Sequence, residues 1–314
     1  MLISRRSRPR SEIHINAAAP SGLPTFFLSH GAGPWPWMGD NVFGLDHSHL
    51  RASIEQIPQE VGTTPAAVLV ISGHWEADEF TVQTNPRPPM LYDYGGFPEF
   101  TYRIRYPAPG SPAVAARVTA LLGEAGVPVE ADPDRGYSHG TFAPMHVAWP
   151  AAAVPVLELS IKSSYDVGEH LAVGRALAPL RHEGVLIIGS GSSFHNLRPI
   201  DPRLAARTAR QWDDWLTAAV TGAPEQRSAL LQQWRRAPGA GLAHPREDHL
   251  LPLMVAAAAA ETEPAYRTYH EDSFGGVAVS GYRFGGPHAV PLDYAPQWTR
   301  IAAERSERAR TRHR

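Results

Sequence analysis

Five histidines of this chain lie at the ends of apolar runs or beside glycines, a setting in which ring nitrogens can bind a metal or transfer protons. They are His30 in FFLSHGAGP, His74 in VLVISGHWE, His139 in GYSHGTFAP, His195 in VLIIGSGSSFHNL and His249 in HPREDHLLPLM. Neutral imidazole is the commonest side-chain ligand of metals and also acts as an acid or base near neutral pH. A single such histidine often has only a structural role, for example a hydrogen bond to a backbone carbonyl. Five in this setting predict a metal enzyme.

Buried strands are expected to bring these side chains together. The apolar runs 24–29, 67–72 and 184–189 each end shortly before one of the five histidines. In open α/β sheets, ligands collect outside the carboxyl ends of such strands, so the imidazoles are predicted to converge there. The histidines in polar or terminal contexts are expected to be solvated; they include His14, His47, His49, His170, His182, His288 and His313.

Helices and strands alternate along the rest of the chain. Ser111 followed by Pro112 is typical of a helix start, and Gly126 of a helix end. Further strands are predicted at 128–131, 154–161 and 277–284, and helices at 48–58, 112–125, 168–181, 203–220, 225–236 and 248–260. This order predicts a single α/β domain with a central mixed or largely parallel sheet flanked by helices. The proline- and aromatic-rich stretch 86–110 is typical of a lid or pocket wall.

Composition excludes several classes of protein. The 314 residues are 43% hydrophobic, which suits a globular domain with a large core. A net charge of -2 gives no basis for binding nucleic acid or an anionic membrane, and the apolar run 254–260 is too short to span a bilayer. The chain has no cysteine, so thiolate metal sites and cysteine nucleophiles are excluded, and a cytoplasmic protein is the simplest expectation. Residues 1–22 are expected to be a disordered tail and 299–314 a basic one.

Common catalytic motifs are missing from the sequence. There is no GxGxxG or GxxxxGK[ST] for nucleotide phosphates, no GxSxG nucleophile elbow and no HExxH zinc helix. The chemistry that remains is one metal held by scattered histidines, with open positions for substrate.

In their order, several sequence blocks resemble the DODA-type extradiol aromatic ring-opening dioxygenases. These are class III enzymes related to the catalytic subunit of protocatechuate 4,5-dioxygenase. The blocks are SHGAGP, SGHW, YDYGGFPEFTYRIRYPAPG, RGYSHGTFAPM, GSGSSFHNLR, HPREDHLLPLM and SFGGVAVSGYRF, and they span roughly residues 24 to 285. The resemblance implies a catalytic domain over 23–298.

The resemblance also implies a mechanism and a set of site residues. In such enzymes, a catechol binds one divalent iron through both oxygens, O2 binds beside it, and the ring opens next to the diol. His30, His74 and His249 are implied as metal ligands. His195 is implied as the acid/base or a further ligand, and His139 faces the substrate or O2. The aromatic residues Tyr94 and Phe142 are further candidates for substrate binding.

Some alternatives remain open at this point. Glu247 could replace His249, because the relatives nearest to protocatechuate cleavage use two histidines and a carboxylate, a set that suits Fe(II). Three imidazoles suit Zn(II) as well. A zinc hydrolase with Glu76 or His195 as base is therefore the main rival function, followed by a catalytically silent binding protein. The expected partners are a small catechol and O2, and the sequence leaves open the identity of the catechol and whether the chain forms a homo-oligomer.

Overall fold

The longest apolar runs of the chain form the centre of one eight-stranded mixed sheet. The computed structural model describes residues 22–286. Its strands are β1 (Thr25–Ser29), β2 (Asn41–Val42), β3 (Leu45–Asp46), β4 (Ala67–Ala77), β5 (Phe80–Gln83), β6 (Val129–Asp132), β7 (Val156–Lys162), β8 (Val185–Gly191), β9 (Ala265–Phe274) and β10 (Val277–Phe284). The order in the main sheet is β6-β5-β7-β4-β8-β1-β10-β9, and β2 and β3 form a separate hairpin.

The four central strands, β7, β4, β8 and β1, are parallel to one another. At one side β10 and β9 continue the sheet in antiparallel pairing, and at the other β5 is antiparallel to β7. The carboxyl ends of the central strands therefore lie at one edge of the sheet, as predicted. The fold class predicted from the sequence is confirmed.

Ten α-helices connect and cover the strands among the described residues. They are α1 (Trp35–Met38), α2 (Ser48–Glu55), α3 (Ile57–Val61), α4 (Pro112–Glu124), α5 (His139–Ala148), α6 (Val167–Leu177), α7 (Pro202–Thr221), α8 (Pro224–Gln232), α9 (Ala240–Ala243) and α10 (Leu251–Ala258). Short 3-10 helices lie at Glu99–Arg103, Ala178–Arg181 and Trp234–Arg236. Within the described ranges, no helix is long and apolar enough to cross a bilayer.

Successive residues of β8 contact helices on opposite sides of the sheet. A Cβ at Gly189 would overlap the backbone of Pro252 in α10, whereas the Ser190 hydroxyl donates to the carbonyl of Gly140 in α5. Because side chains alternate along a strand, α10 and α5 cover opposite faces. Helix α6 packs beside α10, α1 and α2 pack beside α5, and α7 covers β9 and β10. The central strands are therefore buried on both faces, as their unbroken apolar sequences require.

Several predicted boundaries need correction. The strand predicted at 67–72 continues to Ala77, so that His74 lies within it. The helix predicted at 248–260 begins only at Leu251, and His249 lies in the preceding loop. The helix at 112–125 is confirmed, including a hydrogen bond from Val114 to the Ser111 hydroxyl.

Two strands of the main sheet were missed by the sequence reasoning. β5 is only four residues long, and β9 is a polar edge strand that pairs on one side, with β10. Edge strands commonly carry charged residues, which removes the apolar signal. The expected tails and the last part of the expected 23–298 domain lie outside the described residues, apart from Gly22.

Two histidines expected to be solvated are buried instead. His47 stacks on Trp35, and its Nε2 accepts the backbone N–H of Ala32 at 3.2 Å. The Nε2 of His170 accepts the backbone N–H of Lys162 at 3.2 Å, and its Nδ1 lies 2.7 Å from the Asp166 carbonyl. Both side chains are therefore structural, and their polar sequence context concealed their burial.

Candidate metal centre

The carboxyl ends of β1 and β4 deliver the first two histidines. His30 follows β1, and its backbone N–H donates to the Gly191 carbonyl at the end of β8. β4 pairs with β8 only as far as Ser72, and its pairing with β7 is irregular between Ile71 and Glu76. His74 lies in this irregular stretch. Irregular pairing bends a strand and redirects its side chains, so His74 leaves the regular sheet at the level of His30.

Two glycines allow the loop that carries His249 to lie against the strand ends. A Cβ at Gly191 would overlap the backbone carbonyl of His249, and one at Gly73 would lie 2.9 Å from the carbonyl oxygen of Asp248. The backbone N–H of Ser192 donates to the His249 carbonyl at 3.1 Å. The loop is therefore held in place by backbone contacts that a larger residue at either glycine would prevent.

Three imidazoles meet at this point. The Nε2 atom of His74 lies 3.2 Å from the Nε2 of His30 and 3.2 Å from the Nε2 of His249. The ligand atoms of all three lie within 4.8 Å of one another. His30 and His249 are buried, and His74 is partly buried.

The Nδ1 atom of each ring faces a group that only accepts hydrogen bonds. For His30 it is the Gly31 carbonyl at 2.8 Å, for His74 the Asp93 carboxylate at 3.2 Å, and for His249 the Asp248 carboxylate at 3.0 Å. This list contains no donor, so each Nδ1 carries the proton. Each Nε2 then presents a lone pair to the other two.

Burial and mutual repulsion keep these rings neutral. Burial lowers the pKa of His74 to about 3, and the neighbouring His139 adds to this effect. The pKa values of His30 and His249 are held well below their usual range by burial first and by neighbouring histidines second. Neutral imidazole is the form that binds metals.

The spacing of the nitrogens fits a metal ion. Two nitrogens that each lie about 2.1 Å from one ion are about 3.0 Å apart at a right angle and about 3.4 Å apart at a tetrahedral angle. The observed 3.2 Å separations fall between these values. Converging lone pairs without a donor repel one another, and a cation among them removes that repulsion.

Asp93 connects two of the histidines. Its Oδ1 accepts both the backbone N–H and the Nδ1–H of His139, each at 2.9 Å, and its Oδ2 faces His74. Burial would raise the pKa of the Asp93 carboxyl, but the hydrogen bonds from His139 outweigh burial and hold the pKa below its usual range. Asp93 therefore stays charged and fixes the orientation of both rings.

His195 lies beside the three convergent rings. Its ring stacks on that of His249 with a centroid distance of 3.5 Å and an angle of 13°. Its ligand atom groups with Asp248 and His249 rather than with His30 and His74. Within residues 22–286, no hydrogen bond holds either of its ring nitrogens, and burial lowers its pKa below the usual range.

Glu247, the alternative third ligand, is directed elsewhere. Its carboxylate forms an ion pair with Arg235. It belongs to none of the potential metal-binding groups found among the described residues, whereas His249 belongs to two.

A buried carboxylate supports the backbone of the site. Glu158 of β7 is fully buried, and its Oε1 accepts the N–H and the hydroxyl of Ser138 at 2.8 and 2.9 Å. The Ser138 hydroxyl lies 3.0 Å from that of Ser72, which accepts the backbone N–H of His74 at 3.2 Å. This chain of contacts connects the start of α5, where His139 lies, to the irregular part of β4.

The histidines open onto a cavity of about 570 Å³. His30, His74, His139 and His195 all line it, together with Asp93.

The two aromatic candidates for substrate binding are not among the described residues that line this cavity. Phe142 is fully buried. The ring of Tyr94 packs between His139 and Phe142, and its hydroxyl donates to the Thr101 carbonyl at 2.7 Å. Tyr94 therefore packs against the His139 ring, and Phe142 contacts Tyr94 and Trp37.

Comparison with known proteins assigns the chain to a family. Residues 24–285 match the family described as "Catalytic LigB subunit of aromatic ring-opening dioxygenase". The chain is 38% identical over 264 residues to the 4,5-DOPA dioxygenase extradiol of Beta vulgaris, covering 83% of this chain and 96% of that protein. It is 37% identical over 294 residues to dioxygenase tasH of Hapsidospora irregularis, covering 86% and 88%. The chain belongs to the aromatic ring-opening dioxygenase family.

The family assignment confirms the resemblance seen in the sequence blocks. A 4,5-DOPA dioxygenase extradiol of Escherichia coli is also similar, at 33% identity over 74% of this chain and 83% of that protein. A crystal structure of an uncharacterized protein from Escherichia coli K12 superposes with a TM-score of 0.64 at 29% identity, covering 84% of this chain and all of that one. The protein is an extradiol ring-cleavage dioxygenase.

Sequence reasoning missed Asp93, which contacts both His74 and His139 in this cluster. It is the only acidic residue in the block LYDYGGF, within an aromatic and proline-rich loop. An isolated carboxylate in such a loop is a signal worth testing, because polar residues on loops often serve function. The sequence does not show which histidine it contacts.

Proposed function

We propose that this ring-opening dioxygenase is a non-haem Fe(II) enzyme that inserts both atoms of O2 into a catechol and opens the ring beside the diol. One observation carries the metal part of the proposal: three imidazole Nε2 atoms converge, and the Nδ1 atom of each ring faces an acceptor. His30, His74 and His249 would hold one divalent ion per chain. The cavity beside them provides room for an aromatic substrate and O2.

Iron is proposed rather than zinc because of the reaction. His30, His74 and His249 would hold Fe(II), which would supply the redox chemistry needed to react a catechol with O2; d¹⁰ zinc has no such chemistry. The relatives described above are named dioxygenases, which favours oxidative ring opening. Glu76, a candidate base for a zinc hydrolase, has its carboxylate 2.6 Å from the Arg246 guanidinium and hydrogen-bonded to Tyr165. The Glu76 carboxylate is thus already engaged by two partners.

His195 is proposed as the general acid/base. Its ring lines the cavity, and without a hydrogen-bond partner in the described chain it can take a proton from a catechol hydroxyl and return it later. Its stacking on His249 holds the ring in place without occupying its nitrogens.

His139 is proposed to contact substrate or O2. Its Nδ1 donates to Asp93, so in the neutral ring Nε2 carries a lone pair. The ring lines the cavity and can accept a hydrogen bond there.

Oxygen consumption tests the proposal. Protein loaded anaerobically with Fe(II) should consume O2 when a catechol is added and should form a ring-opened product, whereas iron-free, zinc-loaded protein should do neither. The panel should include DOPA, caffeate and protocatechuate. Turnover by the zinc form would contradict the oxidative mechanism and favour hydrolysis.

A His195→Gln variant tests the role of that residue. Loss of a general acid/base typically lowers the rate by about 10² to 10⁴. Iron content should therefore persist while kcat falls and the pH profile loses one limb. Parallel loss of iron and activity would make His195 a metal ligand instead.

A further inference from the structure

The cavity beyond the histidines is lined mainly by apolar side chains from four parts of the fold. They come from the β2–β3 hairpin, the loop after β8, the start of α7 and the β9–β10 hairpin. Examples are Leu45, Leu197, Ile200, Phe274, Val277 and Val279. Leu197 is 87% exposed, so its side chain is accessible to an apolar substituent that enters the cavity. The lining therefore suits a catechol that carries an apolar substituent.

The described lining of this cavity contains no carboxylate that is free to pair with a substrate. Asp93 is the only carboxylate among its described lining residues, and both of its oxygens already face His74 and His139. The two acids on the nearby strand β9, Glu271 and Asp272, lie against His49 and His270. Among the described lining residues of this cavity, no carboxylate other than Asp93 is present to meet a substrate ammonium group; Glu76 and Asp248 line an adjoining cavity.

Arg198 is the one arginine or lysine among the described residues that line the cavity. Arg198 lies in the loop after β8, three residues beyond His195. Within residues 22–286, no ion pair or side-chain hydrogen bond engages its guanidinium, whereas its backbone N–H donates to Asn196 Oδ1 at 2.9 Å. A guanidinium in this position can hold a carboxylate by two parallel hydrogen bonds.

We propose that this cavity selects catechols whose ring substituent is apolar or ends in a single carboxylate bound by Arg198, and that it disfavours catechols with an ammonium group. The inference rests on the proposed dioxygenase function and names its substrate class. An ammonium group that enters this apolar cavity gives up part of its hydration, and no free carboxylate of the described lining replaces it. DOPA, the substrate in the names of several relatives, carries such an ammonium and is therefore expected to be a poor substrate of this chain.

Four catechols with closely matched side chains test the proposal. They are 4-propylcatechol, 3-(3,4-dihydroxyphenyl)propanoate, DOPA and dopamine, whose substituents are neutral, anionic, zwitterionic and cationic. The propanoate differs from DOPA only by the α-ammonium group. With Fe(II)-loaded protein, kcat/KM for the propanoate should exceed that for DOPA at least tenfold, and dopamine should be the poorest of the four.

Arg198→Gln separates the role of the guanidinium from that of the apolar wall. A hydrogen-bonded charge pair at a half-open site contributes a factor of about 5 to 20 in affinity, so KM for the propanoate should rise by that factor, with little change in kcat. Values for 4-propylcatechol should stay within about twofold. The exposed Arg203, which is not part of the cavity lining, gives the control Arg203→Gln. Titration of the same ligands into zinc-loaded protein should give the same order of Kd without turnover.

The outcomes separate a failure of the proposed substrate class from a failure of the proposed dioxygenase function. If DOPA or dopamine matches or exceeds the propanoate, the inference is wrong and the dioxygenase function stands. If Arg198→Gln affects all four compounds equally, Arg198 does not bind the carboxylate and that part of the proposal is overturned. If the iron-loaded protein opens none of the rings and consumes no O2, the proposed function fails and the inference fails with it.

Discussion

Replacing Asp93 by asparagine changes the proton distribution of the metal centre with almost no change in shape. Asp93 Oδ1 accepts two hydrogen bonds from His139, and Oδ2 faces the Nδ1 of His74 at 3.2 Å. Asparagine has one acceptor oxygen and one amide nitrogen that only donates. With the oxygen kept on His139, the amide nitrogen faces a ring nitrogen that already carries a proton. His74 must then move its proton to Nε2, where it blocks metal binding, or rotate away.

The expected loss follows from the number of contacts. Removing one partner that orients a metal ligand typically lowers metal affinity by about 10- to 100-fold, or about 1.4 to 2.7 kcal/mol. Asp93 orients one proposed ligand and one flanking histidine, and it also carries a negative charge close to the dication. We therefore expect a loss of about 30- to 100-fold, near the upper end of that range.

Anaerobic competition with a chelator measures this loss for Fe(II) and Zn(II). The exposed Asp134 gives a control, Asp134→Asn, with the same change of charge away from the histidines. The ¹⁵N shifts of His74 in metal-free protein should move from the Nδ1–H to the Nε2–H tautomer in Asp93→Asn only. If Asp93→Asn binds either metal within threefold of the parent and keeps the Nδ1–H tautomer, Asp93 does not orient His74.

Four further substitutions test the ligands, the loop and the pH dependence of stability. After dialysis against a chelator, His249→Ala should lose the metal and Glu247→Ala should keep it, because the Glu247 carboxylate pairs with Arg235 and does not face the metal centre. The reverse result would make Glu247 the third ligand. Gly191→Ala places a methyl group against the His249 carbonyl. Chelator competition should show a lower metal affinity, and urea titration should show a free energy of unfolding lower by about 1 to 3 kcal/mol. Unchanged values would show that the loop adapts.

Burial lowers the pKa of His170 to about 4, whereas the pKa is about 6.5 in the unfolded chain. Between these values the unfolded state binds one proton more than the folded state. The free energy of unfolding therefore falls as the pH drops from about 6.5 to 4. The part due to this residue should reach about 2 kcal/mol at pH 5. The difference in unfolding free energy between pH 7 and pH 5 should shrink by about that amount in His170→Asn, and an equal difference in both proteins would show that His170 is not the responsible group.

The sequence predicted those parts of the fold that depend on continuous local patterns. Buried parallel strands read as unbroken apolar runs, so β1, β4, β7 and β8 were found, with their shared edge. The strand β9 was missed because it lies at the edge of the sheet and carries polar side chains, so its sequence contains no apolar run. The end of β4 was placed too early, since the polar residues from His74 onwards resemble a loop although the strand continues irregularly to Ala77.

The histidines and their partners differ in how far the sequence could reveal them. His30 and His74 follow from the strand rule, because β1 and β4 both run parallel to β8, so their carboxyl ends lie at the same edge of the sheet. The placement of His249 depends on glycines in other strands that allow its loop to approach, and nothing near His249 in the sequence shows this.

The protonation pattern of the site is a purely tertiary property. An acceptor at Nδ1 keeps the proton there and leaves the Nε2 lone pair of each ring free for a metal. The three acceptors are of different kinds: a neighbouring carbonyl, a neighbouring carboxylate and the remote Asp93. His74 and Asp93 approach each other only after the proline-rich loop folds back over the strand ends. A sequence with the same five histidines and no carboxylate at position 93 would fulfil every pattern used to predict the site, yet it would leave His74 without its orienting partner. The Asp93 substitution is therefore a sharper test of this centre than the removal of any single histidine.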